Sequence, residues 1–160
     1  MKIIHVGVLA ILFLTACQSN DIQKSSDIQQ TQVHMQDLGG DYQVLPMTAQ
    51  ALSGVWQLQD SSLVGSDNQA LKLHFDDGVV SVVNGCNNIK AGYRVSSQLS
   101  IDRPMSTRMM CDETLMALDN LASSLLGGQM TLYESSSSGK VFLGIQVGDK
   151  VYRLTKVSSF

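Results

Sequence analysis

Two of the three cysteines in this sequence, Cys86 and Cys111, lie in a single stretch, NGCNNIKAGYRVSSQLSIDRPMSTRMMC. Paired thiols can form a disulfide, ligate a metal or supply a nucleophile. A zinc site needs four ligands at short spacing, such as C-x2-C, and no such motif occurs. A nucleophilic cysteine needs a histidine base, but His34 lies in a polar segment and His74 falls on the solvent side of a predicted strand. A redox pair is more typically C-x-x-C. Whether these thiols are oxidised or reduced therefore depends on the cellular compartment in which the protein resides.

The first residues predict an export signal. Lys2 places a positive charge at the N-terminus. The apolar run IIHVGVLAILF that follows it is too short to span a bilayer. The next four residues, LTAC at Leu14 to Cys17, resemble a bacterial lipobox. That resemblance implies cleavage before Cys17 and thioether lipidation of its sulfur, with acyl chains such as palmitate that together anchor a protein permanently. We therefore expect residues 1–16 to be a lipoprotein signal peptide.

The predicted location favours a disulfide. Gln18 follows Cys17 where an Asp would signal retention in the inner membrane, so we expect an outer-membrane lipoprotein whose domain faces the periplasm. That compartment is oxidising, and lipidation of Cys17 leaves Cys86 and Cys111 as an even pair. A disulfide between them, contributing about 3–4 kcal/mol of stability in the chain-entropy model, is the interpretation we favour. Buried reduced thiols and a reactive pair remain alternatives.

Composition indicates one modest domain on a tether. The chain has 160 residues and a formal net charge of −3, with neither the charge needed for nucleic-acid binding nor a basic stripe for anionic lipid heads. We therefore expect membrane contact through the lipid alone. Residues 17–46, rich in Gln, Ser and Asp, are predicted to be the lipidated N-terminus and a flexible spacer, with His34 exposed to solvent. A segment that folds on a partner is the alternative. Residues 47–160 form the predicted folded domain.

The sequence of this domain predicts mainly strands. Alternation in LKLHF places Leu71, Leu73 and Phe75 on the inner face. The DDG that follows is typical of a hairpin turn, and VVSVV returns as a β-branched strand. Trp56 in SGVWQLQ is the predicted core anchor. Further strands are predicted in GYRVSSQLSI, QMTLYE, KVFLGIQV and KVYRLTKV, and the spacing of strands and turns predicts an antiparallel β-meander.

One helix interrupts the predicted strands. Asp112 is a suitable N-cap, and Glu113 places negative charge in the first turn, where the helix dipole favours it. The apolar face then repeats at helical spacing through Leu115, Leu118, Leu121, Ala122 and Leu125. Gly127 and Gly128 end the helix. We expect a mainly β (α+β) fold in which this helix lies across a curled antiparallel sheet.

The stretch around the two cysteines is similar to the META domain, found in HslJ-type heat-shock lipoproteins. The family pattern runs Gly-Cys-Asn, a short gap, Gly-x-Tyr, a strand ending in Leu-x-Ile, then Thr-x-Met-x-Cys before a leucine-rich helix. The residues that match are Gly85, Cys86, Asn87, Tyr93, Leu99, Ile101, Thr107, Met109 and Cys111. The family's opening strand matches GVWQL at Gly54 to Leu58, and the resemblance spans about Leu52 to Thr155. Ala91 stands where the family usually has Gly.

The resemblance implies an open or cracked barrel with one packed helix, roles in envelope stress or antibiotic tolerance, and no catalytic residues. No GxSxG, HExxH or phosphate-binding glycine loop occurs in the sequence. We therefore expect no enzymatic activity, cofactor or metal. The candidate binding residues are Asn87, Asn88 and Arg108. Their alternatives are local backbone hydrogen bonds for the asparagines and a solvated charge for the arginine.

Three functions follow from these features. The first is a non-enzymatic outer-membrane lipoprotein that binds an unidentified envelope protein or ligand and supports envelope integrity. The second is inhibition of a hydrolase such as lysozyme through the SSSSGK tip at Ser135 to Lys140. The third is binding of a lipid or small molecule inside the barrel.

Overall fold

The computed structural model describes residues 41–59 and 70–157 of the chain. The predicted signal peptide, the lipidation site Cys17 and most of the predicted spacer lie outside the described residues.

Ten strands and two helices follow one another in the described part of the chain. They are β1 (Tyr42–Leu45), α1 (Ala49–Leu52), β2 (Gly54–Leu58), β3 (Lys72–Asp76), β4 (Val79–Val83), β5 (Ile89–Val95), β6 (Leu99–Ile101), β7 (Met105–Ser106), α2 (Glu113–Leu126), β8 (Gln129–Ser135), β9 (Val141–Val147) and β10 (Lys150–Val157).

The strands form one antiparallel sheet that curls into a half-barrel. Its strand order is β1-β8-β9-β10-β2-β3-β4-β5-β6, and β7 pairs with β5 beside β6. Neighbours in sequence are therefore mostly neighbours in the sheet, as the spacing of the turns predicted. The β3–β4 turn has positive φ at Asp77 and Gly78, as its DDG sequence favours. The predicted mainly β fold with a single packed helix is confirmed.

The inner face of the sheet forms the hydrophobic core around Trp56. This side chain is fully buried, and its indole Nε1 donates a hydrogen bond to the carbonyl oxygen of Leu52 at 2.6 Å. The predicted inward residues of β3, Leu73 and Phe75, are also fully buried. Ala91, the departure from the family pattern, lies buried in the interior of β5, where no special backbone conformation is needed.

The long helix α2 begins and ends where the sequence predicts. The Asp112 carboxylate accepts a hydrogen bond from the backbone N–H of Leu115 at 3.0 Å, and Gly127 caps the other end. The helix covers the core with a buried face that includes Leu118, Ala122, Leu125 and Leu126. Among the described residues, no helix has both the length and the apolar character required to cross a bilayer.

The first strand differs from the prediction, because β1 lies inside the segment predicted to be spacer. Tyr42–Leu45 pairs with β8, and an aromatic cluster on the outer face of the sheet holds it there. The ring of Tyr42 meets Phe142 edge-on at 5.0 Å, and Arg153 donates a hydrogen bond to the Tyr42 hydroxyl at 3.1 Å. Tyr133 stacks on Phe142, and burial raises the pKa of its phenol. The sheet of the domain therefore includes residues that precede Pro46.

Replacing Trp56 by alanine should destabilise the domain by about 3–5 kcal/mol, because a fully buried indole leaves a cavity that its neighbours fill only in part. Urea unfolding followed by far-UV circular dichroism measures this without relying on the chain's single tryptophan. The matched control is Val44→Ala, at a side chain 43% exposed, which should change the free energy of unfolding by less than about 0.5 kcal/mol. Equal effects of the two substitutions would contradict this description of the core.

Candidate functional site

A buried carboxylate on α2 connects the helix to the turn between β4 and β5. Asp119 lies on the apolar face of the helix and is 6% exposed. Its Oδ1 accepts a hydrogen bond from the backbone N–H of Cys86 at 2.9 Å. Its Oδ2 accepts one from the backbone N–H of Asn87 at 2.9 Å and another from the Asn87 side-chain amide at 2.7 Å. Three donors therefore satisfy this carboxylate, which is what a buried charge requires.

Gly85 permits the close approach of that carboxylate. A Cβ atom at this position would lie 2.4 Å from Oδ1 of Asp119, well inside van der Waals contact. The glycine of the Gly-Cys-Asn motif is therefore explained by the helix carboxylate that packs over it.

The Asn87 side chain extends this connection to the segment that precedes α2. Its Oδ1 accepts hydrogen bonds from the Met109 backbone N–H at 2.6 Å and from the Thr107 hydroxyl at 3.0 Å. Its amide nitrogen also lies 3.3 Å from the Met109 carbonyl oxygen, to which it donates. One buried amide therefore holds both backbone polar groups of Met109. The predicted role of Asn87 as a ligand-binding side chain would require these hydrogen bonds to break.

Further contacts fix the same segment at both ends. The backbone N–H of Asn88 donates to the Thr107 hydroxyl at 2.9 Å, and the N–H of Thr107 donates to the Asn88 carbonyl at 3.3 Å. Cys86 and Cys111 are joined by a disulfide in this structure, across a sequence separation of 25 residues. We refer to Met105–Met110 as the methionine loop. It runs from β7 towards the disulfide with its backbone held along the way.

The methionine side chains of the loop are exposed, although its backbone is held by hydrogen bonds. Met105, Met109 and Met110 are 74%, 59% and 97% exposed, whereas the other large apolar side chains that are exposed in the described residues lie between 38% and 44%. A cluster of exposed apolar side chains is typical of an interaction surface. Methionine suits such a surface, because its long, polarizable side chain adapts to different partners.

Basic side chains outnumber acidic ones near these methionines. Arg103 and Arg108 are exposed, and neither forms a salt bridge with any of the described residues. Lys90, also exposed, lies opposite Met105 in the β5–β7 register. Of the nearby carboxylates, Asp102 is engaged by Arg94 at 2.8 Å, Asp112 caps α2, and Glu113 lies in the first turn of that helix, so four basic side chains lie near three acidic ones. The methionine loop is therefore a locally cationic, apolar surface on a protein of net negative charge.

The structure thus separates the three predicted binding residues. Asn87 is buried and holds the loop, whereas Arg108 is an exposed residue of the loop itself and Asn88 is an exposed residue beside it. Neither Asp119 nor the exposed methionines were predicted as site residues from the sequence. The signal for Asp119 was an acidic residue on an apolar helix stripe, between Leu115 and Ala122. Among residues 41–59 and 70–157, no three His, Cys, Asp or Glu side chains come together in a way that could hold a metal ion.

Replacing Asp119 by asparagine should destabilise the domain by about 1.5–3 kcal/mol, because an amide NH₂ would then face a backbone or side-chain donor in a buried site. Thermal or urea unfolding of the oxidised protein measures the change. The control is Asp149→Asn, in the exposed β9–β10 turn, which should unfold like the wild type. If both variants are equally stable, Asp119 does not secure the loop.

Comparison with known proteins agrees with this description. No curated protein matches the chain in sequence. A solved structure, the NMR structure of a protein from Burkholderia xenovorans, superimposes with a TM-score of 0.55 at 16% identity, covering 72% of this chain and 90% of that one. At that identity the likeness concerns the fold alone. The META domain family matches residues 49–157, which include the whole of the site described above. The chain therefore belongs to the META domain family.

Proposed function

We propose that this META-domain protein is a non-enzymatic lipoprotein of the bacterial outer membrane, held by acyl chains on Cys17 with its domain facing the periplasm. In this proposal it supports envelope integrity under stress or antibiotic exposure by binding another envelope component. The observation that carries the binding role is the methionine loop, which combines a restrained backbone with exposed apolar and cationic side chains.

The anchoring part of the proposal rests on the sequence. The apolar run after Lys2 and the LTAC motif that ends at Cys17 have the order and spacing of a lipoprotein signal. A Cys86–Cys111 disulfide suits an oxidising compartment such as the periplasm.

The binding part rests on preorganisation. A loop that must be ordered on binding loses conformational entropy, and that loss subtracts from the affinity. Here the Asn87 amide and the disulfide hold the backbone in place before any partner arrives. Methionine and arginine are also enriched in the buried parts of protein interfaces. The methionine loop is therefore the surface of the domain best suited to recognition.

The two other predicted functions receive less support. The Ser135–Lys140 tip is a tight turn closed by hydrogen bonds from Gly139 to Ser135 and from Ser135 to Lys140, so it has little reach into the active-site cleft of a hydrolase. A ligand inside the barrel would compete with the side chains that form the core, among them Trp56 and Phe75.

Complementation of a deletion strain tests the proposed function. We expect the deletion to raise sensitivity to detergents or large antibiotics, and the wild-type gene to restore resistance. Cys17→Ala should fail to restore it, because the domain is released from the membrane. The triple variant Met105→Ser, Met109→Ser, Met110→Ser should also fail, because the exposed apolar surface is lost while the core is untouched. Val79→Thr, at an exposed apolar side chain outside the loop, is the control and should restore resistance.

Mass spectrometry of the membrane-extracted protein shows whether each variant is processed, lipidated and oxidised as proposed. We expect a chain that begins at Cys17, carries acyl chains and has two hydrogens fewer than its fully reduced form. Unprocessed, unlipidated protein would contradict the anchoring. Full resistance with the triple methionine variant, in protein that is correctly lipidated, would contradict binding through the loop.

A further inference from the structure

We propose that the methionine loop docks on the anionic headgroup surface of the membrane, as a second attachment beside the lipid on Cys17. This inference rests on the proposed anchoring and names the envelope component that the loop contacts. It replaces the expectation that the lipid is the membrane contact by itself.

The fold assembles a basic, apolar surface that the sequence does not display. Lys90, Arg103 and Arg108 are spread over β5 and the segments on either side of β7, so no window of the sequence shows a basic stripe. Pairing of β5 with β7 sets Lys90 opposite Met105, and the two arginines lie within three residues of a methionine along the chain. Apolar side chains flanked by lysine and arginine are the composition of surfaces that bind at the interface of anionic membranes.

Local charge favours an anionic surface over a neutral one. The carboxylate of Asp102 pairs with Arg94, that of Asp112 caps α2, and Glu113 lies in the first turn of α2. These three acidic side chains are outnumbered by Lys90, Arg94, Arg103 and Arg108. Among the described residues, no carboxylate forms a salt bridge with Arg103 or Arg108. Lipid phosphate groups would supply the missing negative charge, since arginine binds phosphate oxygens with a fork of N–H donors.

The length of chain outside the described domain permits this docking. Residues 18–40 separate Cys17 from Asp41, and these 23 residues span at most about 80 Å when fully extended. A folded domain of this size is only about 35 Å across. A segment of that length between the lipid and the domain would keep the domain near the bilayer at a high effective concentration and is long enough for any face of it to reach the surface. The face that docks is then decided by surface chemistry, which favours the methionine loop.

Methionine oxidation provides a probe that is already present in the chain. The lipidated, full mature protein would be inserted into vesicles of phosphatidylglycerol and phosphatidylethanolamine, or of phosphatidylcholine, and treated with hydrogen peroxide. Peptide mass spectrometry then gives the rate of sulfoxide formation at each methionine. We expect Met110 to be oxidised at least fivefold more slowly on the anionic vesicles, with Met130, a partly buried residue of β8, unchanged. Sodium chloride at 0.5 M should remove the protection, because salt screens the headgroup charge.

A charge variant separates docking from simple proximity to the bilayer. The substitutions Arg103→Gln and Arg108→Gln together should bring the Met110 oxidation rate on anionic vesicles to within twofold of that on neutral vesicles. The double substitution Lys140→Gln and Lys150→Gln is the matched control, because it removes the same amount of charge at exposed positions outside the loop, and it should keep the protection.

The outcomes distinguish this inference from the anchoring it assumes. Protein that floats with both kinds of vesicle but shows equal Met110 oxidation on them is anchored without docking, and the inference is then wrong. Protein that does not float with either vesicle shows that the proposed anchoring has failed. Protection of Met110 that appears only when envelope proteins are added would assign the loop to a protein partner and overturn the lipid assignment.

Discussion

The Asp119 carboxylate is the constraint on which the arrangement of this domain depends. It lies on the buried face of α2 and accepts hydrogen bonds from two backbone N–H groups and one side-chain amide of the β4–β5 turn. A buried charge is tolerated only where donors of this kind surround it, and its removal leaves those donors unsatisfied. The helix can therefore pack in one register only, with Gly85 providing the space beneath the carboxylate. In this chain, the Gly-Cys-Asn motif therefore provides the N–H donors that bind the carboxylate of the helix.

The same constraint allows an exposed segment to be ordered. The methionine loop contains only two residues of regular strand, and its largest side chains face away from the core. Such segments are usually the first to open, because few buried contacts hold them. Here Asn87 donates a hydrogen bond to Asp119 and accepts one from the backbone N–H of Met109, and the Cys86–Cys111 disulfide closes the segment after Met110. The stability of the core is thereby transmitted to a surface that contributes no burial of its own.

Much of the fold was predictable from the sequence, for local reasons. Alternation and turn residues located β3, β4 and the strands after α2, and an N-cap followed by an apolar stripe located the helix. The elements that were missed are β1, α1 and β7. Each has four residues or fewer and too short a pattern to identify; β1 and β7 form because a partner strand supplies the hydrogen bonds. The site was predictable in part. The motif identified Asn87 and both cysteines, but the partner of Asn87 is 32 residues away, and only the fold brings Asp119 to it.

Asn87, secured by Asp119, orders the methionine loop in the absence of any partner. Native-state amide hydrogen exchange at Met109 measures this order, because the Met109 N–H donates to the Asn87 side chain while the Met109 side chain is 59% exposed. In the oxidised protein without ligand, we expect the Met109 amide to exchange far more slowly than in an unstructured chain, and Asp119→Asn to accelerate this exchange. Exchange at Met109 as fast as in an unstructured peptide would show that Asn87 does not order the loop.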